Sequence, residues 1–257
     1  MPVLPFTQTE GSGMYPSLQQ IARSLIKPLR EFVYPPACLA CEAVLPDGVS
    51  RICPTCWNHI RHVHRDDALY GDMRQRLLAD GSLADMASAF YFEKEGTLQT
   101  LIHRLKYDEM TIVGEELGKH VASSLAALLP VLPHACLLPV PLHRAKERER
   151  GYNQSTAIAR GIYTITGLPV RPHILRRQKN TISQTHLNPE ERRANVRDAF
   201  VVRDPAAVRD RVIILVDDVI TTGATILECA RVLQAHHASA IYAASVALAL
   251  PTTDIEA

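Results

Sequence analysis

The sequence predicts an α/β protein in which a parallel sheet is flanked by helices and preceded by a small module built on four cysteines. From Cys136 onward, apolar strand-like runs alternate with helical patterns, the order in which strands and crossover helices follow one another in a parallel sheet. The run Val212-Ile213-Ile214-Leu215-Val216 is apolar at every position, as expected of a strand covered on both faces. Two C-x-x-C pairs, Cys38/Cys41 and Cys53/Cys56, lie close together before this region.

A chain of 257 residues, 47% hydrophobic and 21% charged, can bury one full core and a small appendage. Its net charge of +1 excludes a chain-wide electrostatic drive toward nucleic acid, so any polyanion contact must come from local clusters of Arg and Lys. No apolar run approaches the roughly 18–20 residues that span a bilayer. The N-terminus also lacks a basic region followed by an uninterrupted apolar stretch. A cytoplasmic protein without membrane insertion is expected.

Residues 1–36 read as an extension. Within it Leu18, Ile21, Ala22, Leu25, Ile26 and Leu29 share a helical face that Pro28 divides. Residues 37–62 form the cysteine module and 63–88 a charge-rich connector with a helix near 73–78. The main domain is read over 89–250. It opens with a short aromatic strand at 89–92, a helix whose face is Leu98, Leu101, Ile102 and Leu105, and a further helix over 114–129. There follow an apolar run at 136–142, a helix at 153–166 capped by Asn153 and ended by Gly167, and extended pieces at 170–175 and 200–202. A strand at 212–216, a helix at 225–234 and a last strand at 241–248 complete the domain. Residues 251–257 are a tail.

Cys38, Cys41, Cys53 and Cys56 enclose a segment containing Pro46, Asp47 and Gly48, whose turn chemistry suits two knuckles facing each other across a hairpin. Four thiolates then converge on one tetrahedral ion. Zinc fits soft sulfur ligands, and a saturated shell makes the site structural. The competing reading is a redox-active or simply reduced cysteine set. His59, His62 and His64, just beyond, read as solvated polar residues, and Cys136 and Cys229, in apolar segments, as buried free thiols.

The apolar strand runs into Asp217 and Asp218 and then Thr221, Thr222, Gly223, Ala224 and Thr225, ahead of the helix. The two acids would stand at the carboxyl edge of the sheet, where ligands of open α/β folds bind, and can accept hydrogen bonds from ribose hydroxyls. The small residues that follow let backbone amides close around a phosphate at a helix N-terminus. This stretch resembles the binding signature for phosphoribosyl pyrophosphate (PRPP) of type I phosphoribosyltransferases.

Two other segments extend the likeness. After 138–142 comes a concentrated cationic loop, with Arg144, Lys146, Arg148 and Arg150 leading to Gly151, suited to pyrophosphate. The polar stretch carrying Lys179, Thr181, Gln184 and Arg192 reads as a mobile cover anchored by Leu187 and Phe200. Taken together with the cysteines, the chain from about Cys38 to Leu248 resembles the ComF family, competence-associated phosphoribosyltransferase-like proteins that include GntX-type members.

The resemblance implies a type I phosphoribosyltransferase-like sheet behind a zinc ribbon. It gives zinc to the four cysteines, ribose to Asp217 and Asp218, phosphate to residues 221–225, and pyrophosphate to Arg144, Arg148, Arg150 and Gly151. It also implies Mg²⁺ arriving with PRPP, and a role in uptake or processing of single-stranded DNA, with the DNA itself and uptake proteins such as a helicase as partners. Whether the site transfers a phosphoribosyl group to an acceptor, as a nucleobase salvage enzyme would, or only binds, or serves a zinc-stabilised scaffold, stays open at this level.

Overall fold

A computed structural model describes residues 36–46, 50–132, 134–179 and 189–250. The helix expected between Leu18 and Leu29, the turn at Asp47 and Gly48, and the lid residues Thr181, Gln184 and Leu187 lie outside the described residues. In chain order the elements are α1 (Pro54–Asn58), α2 (Ala68–Leu78), β1 (Asp85–Phe92), α3 (Thr97–Tyr107), α4 (Thr111–Leu125), a 3₁₀ turn (Leu129–Val131) and β2 (Cys136–Pro139). They continue with α5 (Arg144–Arg150), α6 (Gln154–Thr166), β3 (Leu175–Arg177), α7 (Pro189–Val196), β4 (Phe200–Val202), β5 (Val212–Ile220), α8 (Ala224–Ala235) and β6 (Ala240–Ala249).

The main sheet has the order β1-β6-β5-β2, with every pairing parallel. One face is covered by α3, α4 and α6 together with the cysteine module, through Leu101, Leu105, Leu117, Val121, Ile158 and Ile162. The other face is covered by α2, α8 and the small antiparallel β3–β4 pair, through Leu77, Ile226, Leu233, Leu175 and Phe200. On β5, Ile214 and Val216 face the first layer and Ile213 and Leu215 the second. An unbroken apolar run is what a two-sided strand requires.

The alternation slips at one line across the sheet. Ser88, Ser245 and Asp217 pair in register, and the next pairs are Phe90↔Ala247 and Val219↔Ala247, so Ala89, Val246 and Asp218 drop out of the ladders. Beyond that line Ala89 and Phe90 both enter the first layer, as do Val246 and Ala247. The register is the same on either side of this line, so the interruption is a gap shared by three strands and not a bulge with an extra residue. Ser88 and Ser245 share a hydroxyl–hydroxyl bond of 2.9 Å beside it.

Several boundaries differ from the sequence reading. β1 begins at Asp85 rather than 89, because the charge that marked a connector is consumed locally: Asp85, buried, accepts from Arg65 at 2.9 Å and Arg74 at 2.6 Å. The helix expected near 73–78 spans Ala68–Leu78, and the one expected over 114–129 spans Thr111–Leu125. The extended piece at 170–175 reduces to a parallel bridge of Val170 to Leu137 followed by β3. Asn153 and Gly167 do cap α6, Asn153 by accepting from the Ser155 amide and Gly167 in the left-handed conformation at φ 71°.

α4 and α6 cross with backbones nearly touching. A methyl on Gly118 would run into the Ile158 carbonyl, and one on Gly161 into the Glu115 carbonyl. Neither obstacle is a flexible side chain, so the helices would have to separate. Gly161→Ala is therefore expected to destabilise the fold by about 2 kcal/mol or more. Gly71→Ala, in α2 with nothing within 4 Å of the added carbon, should stabilise by about 0.5–1 kcal/mol. Urea unfolding of the two variants beside the wild type checks both signs.

Candidate functional site

β2 stops where proline chemistry stops it. Its last pairing is Pro139↔Val216, and the Val140 amide still donates to the Val216 carbonyl at 2.9 Å. Pro139 and Pro141 flank Val140 and have no N–H, so the ladder cannot continue. β5 runs on to Ile220, leaving Asp217 and Asp218 with an open flank on the β2 side.

The acids partly satisfy their own backbone. The Asp218 amide donates to Asp217 Oδ1 at 2.9 Å, and the Val219 amide to Asp218 Oδ1 at 2.7 Å. Ser155 Oγ donates to Asp217 Oδ1 at 3.2 Å from the first turn of α6. α6 is tied to the end of β2 because Asn153 Nδ2 donates to the Val140 carbonyl at 3.0 Å. Both Oδ1 atoms are thus occupied by the protein. Asp218 Oδ2 is buried and accepts no well-aligned hydrogen bond among the described residues, although Lys106 Nζ stands 2.8 Å from it. The contact is better taken as an ion pair, since an ammonium at that distance neutralises charge whatever its angle.

Burial disfavours the Asp217 carboxylate and the charge of Asp218 beside it adds to this, pushing its pKa up to about 7 against the pull of the Asp218 amide, Lys106 and Ser155. Burial works against the Lys106 ammonium, yet Asp218 and then Asp217 outweigh it and hold its pKa above the ordinary lysine value.

Thr221, Thr222, Gly223, Ala224 and Thr225 follow β5 as the turn into α8. Gly223 sits at φ 74°, a conformation that favours glycine, and an added methyl would strike Leu77 of α2. The Thr222 hydroxyl accepts from the Ala224 amide at 3.4 Å.

The cationic segment is a helix, α5, rather than the expected loop. His143 caps it by accepting from the Ala145 amide, and Gly151 ends it at φ 75°. Helical spacing then sorts its cations. Arg144 and Arg148 are exposed and, with Glu147 and Gly151, line an open hollow of about 430 Å³. Lys146 and Arg150 are half-buried. Burial first, and then Arg177 and Arg150, hold the Lys146 pKa below its ordinary value. Arg150 donates to Gln154 Oε1 at 2.9 Å and lies over the Tyr107 ring. The Tyr152 hydroxyl donates to the Leu105 carbonyl, fixing α5 to the end of α3.

Of the lid residues, Lys179 donates to the Arg197 carbonyl at 2.9 Å, and Arg192 falls in α7. Phe200 is buried in the second core layer. Lys106 and Ser155 were missed by sequence reasoning. Lys106 lies on a helix read from its apolar face and Ser155 on one read from its caps, and no local signal distinguishes either residue from solvated positions.

At the other end of the chain the four cysteine sulfurs lie within 4.8 Å of one another, with Cys41 and Cys53 Sγ 3.8 Å apart. Zinc–sulfur bonds of about 2.3 Å in a tetrahedron place sulfurs about 3.8 Å apart, so the cluster fits a zinc ribbon. Backbone amides of Ala40 and Cys53 point at Cys38 Sγ at 3.4 and 3.3 Å, and that of Cys56 at Cys53 Sγ at 3.4 Å. Burial opposes a Cys38 thiolate, but the amide donors outweigh it and bring the pKa down to about 6.

A parallel sheet with an acidic pair and a glycine turn at the carboxyl edge of one strand defines a phosphoribosyltransferase-type protein. The chain matches the phosphoribosyl transferase domain over residues 102–253, more than half its length, and belongs to that family. Its homologues include Competence protein F of Haemophilus influenzae, 36% identical over 104 residues, or 40% of this chain and 45% of that protein. DNA utilization protein YhgH of Escherichia coli K12 is 28% identical over 151 residues, 56% of this chain and 64% of the relative. The Salmonella typhimurium protein of the same name is 28% identical over 148 residues, with the same coverage. The matched segment spans less than two thirds of each of these relatives.

Because the Asp217 pKa rises on folding, its contribution to stability is full below the unfolded value near 4 and is lost as pH climbs to about 7. Asp217→Asn removes that loss while keeping an oxygen for Ser155. Its melting temperature relative to wild type should therefore increase from about pH 5 to 8. A melting temperature relative to wild type that stays constant or falls over this range would contradict the assignment.

Proposed function

We propose that this protein binds PRPP, or a related ribose 5-phosphate, at the open flank of β5 and works in the handling of single-stranded DNA during natural transformation. The observation that carries the ligand is Asp217 and Asp218 beyond the end of β2, with the 221–225 turn after them and the cations of α5 beside them. The two acids accept the ribose hydroxyls, the 221–225 amides and hydroxyls take the 5′-phosphate, and Lys146 and Arg150 attract the diphosphate. In this reading Arg144 and Arg148 face away from the ribose, and Lys179, Thr181, Gln184 and Arg192 belong to the covering segment.

Mg²⁺ would enter with the diphosphate, neutralising its charge while keeping most of its coordination from ligand and water oxygens. The chain's own part is to hold the sugar and to keep cations facing the leaving diphosphate. The DNA role is supported by the names of its relatives, a competence protein and DNA utilization proteins. Among the described residues no helix is long and apolar enough to cross a membrane, which agrees with a cytoplasmic place of work. Single-stranded DNA and uptake proteins such as a helicase are the partners this reading implies, with a zinc ion holding the cysteine knuckles as a structural element.

Calorimetric titration of PRPP with Mg²⁺ should give saturable binding to wild type. Asp217→Asn/Asp218→Asn should weaken it by about 10-fold or more, since each ribose hydroxyl loses a charged acceptor. Equal binding by both proteins would sink the assignment of the acids. Pyrophosphate release on adding nucleobases or DNA ends then separates a transferase from a binding protein.

Metal analysis should find one zinc ion per chain. Cys41→Ser should lose it, and chelation should lower the melting temperature. A zinc-free protein with an unchanged melt would favour the redox reading of the cysteines.

A further inference from the structure

Lys106 reaches the acidic pair from α3, an element on which the sequence reading placed no functional residue. Its Nζ is 2.8 Å from Asp218 Oδ2, the acid oxygen that is buried and accepts no well-aligned hydrogen bond among the described residues. The Asp217 charge also favours its ammonium and the Arg150 charge opposes it. The ammonium is therefore within electrostatic reach of both acids and of a half-buried cation of α5. The segment that carries it is held there: the Tyr152 hydroxyl bonds the Leu105 carbonyl, and Arg150 covers the Tyr107 ring. A single surface ion pair would need no such support, because exposed pairs contribute little.

The position has a consequence for a ligand. Ribose hydroxyls that donate to Asp218 Oδ2 compete for the oxygen Lys106 holds, so the ammonium is released as the sugar enters. A half-buried cation cannot be left without an anion at low cost. The nearest new anion is the group on the anomeric carbon, between the acids and α5. We propose that Lys106 is a further ligand-binding residue of this site, exchanging Asp218 for the ligand's diphosphate where that group joins the ribose. The inference rests on the ribose phosphate reading above and adds to it a chemical preference: a sugar bearing a 1-diphosphate over one without.

The test compares PRPP with Mg²⁺ against ribose 5-phosphate, by calorimetry on the full chain, for wild type, Lys106→Met, Lys106→Gln and Lys106→Arg. Lys106→Met should bind PRPP about 10- to 100-fold more weakly, the loss of one charge-assisted contact to phosphate, while ribose 5-phosphate affinity stays level or tightens because its competitor for Asp218 is gone. Lys106→Arg, which keeps the charge, should retain more PRPP affinity than Lys106→Gln. Should Lys106→Met fail to fold with Asp218 stranded, the Gln and Arg variants decide the same question. Wild-type PRPP affinity in the Met and Gln variants, or equal loss for both ligands, overturns the role of Lys106 and leaves the site reading intact. Binding of neither ligand by the wild type removes the site reading, and this inference with it.

Discussion

The free flank of β5 is the constraint on which the rest of the site depends. A strand buried on both faces spends its hydrogen bonds on its neighbours, and β5 has a neighbour on each side only as far as Val216. Prolines at 139 and 141 leave Val140 as the last donor from β2, and the next residues of β5 are the two acids. Where the ladder is missing, the carboxylates take over the Asp218 and Val219 amides. The same side chains that end the regular sheet on that side are the ones to which the proposed function assigns the ribose. The line at which Ala89, Val246 and Asp218 leave the ladders falls at this level of the sheet, so the interruption at the acids is shared by three strands.

Two adjacent carboxylates in a partly dry place repel each other, and the protein answers with one lysine and one serine instead of two cations. Burial first, and then the Asp218 charge, still hold the Asp217 pKa above the ordinary carboxylate value. Around α5 the imbalance has the other sign, with Lys146, Arg150 and Lys106 repelling one another. Apart from the Lys106–Asp218 pair, these acids and bases are left without direct partners of opposite charge in one another, the arrangement that the proposed ligand, with hydroxyls at one end and anionic oxygens at the other, would complement.

The cysteine module is part of the main core rather than a separate bead. Cys38, Leu45, Ile52, Cys56 and Ile60 are buried in the same apolar cluster as α3, α4 and α6. Trp57 lies 4.2 Å from the His120 ring and stacks on Phe90 at 6.1 Å, while Glu42 reaches Arg104 of α3 at 2.7 Å. Each buried aliphatic side chain contributes about 1.5–3 kcal/mol, enough to hold a module of this size in one orientation. Since α3 also carries Lys106, the knuckles brace the helix that reaches the acids. His62 is exposed, as a solvated polar residue would be, and also sets its ring edge on Phe90 at 4.8 Å.

Local chemistry is what the sequence determined by itself. The spacing of Cys38, Cys41, Cys53 and Cys56, the two-sided apolar run of β5 ending in Asp217 and Asp218, the glycine turn into α8, and the caps Asn153 and Gly167 are all set by residues a few positions apart, whose backbone preferences act before any distant contact forms. Tertiary structure decided the rest. Asp85 belongs to a strand only because Arg65 and Arg74 neutralise it. The cations of α5 divide into an outward pair and an inward pair only because the segment is a helix docked on α3. Lys106 meets Asp218 only because the end of α3 is brought to the acids of β5. Charge on a side chain is visible in a sequence, but the partner that neutralises it comes from another element, and packing alone brings the two together.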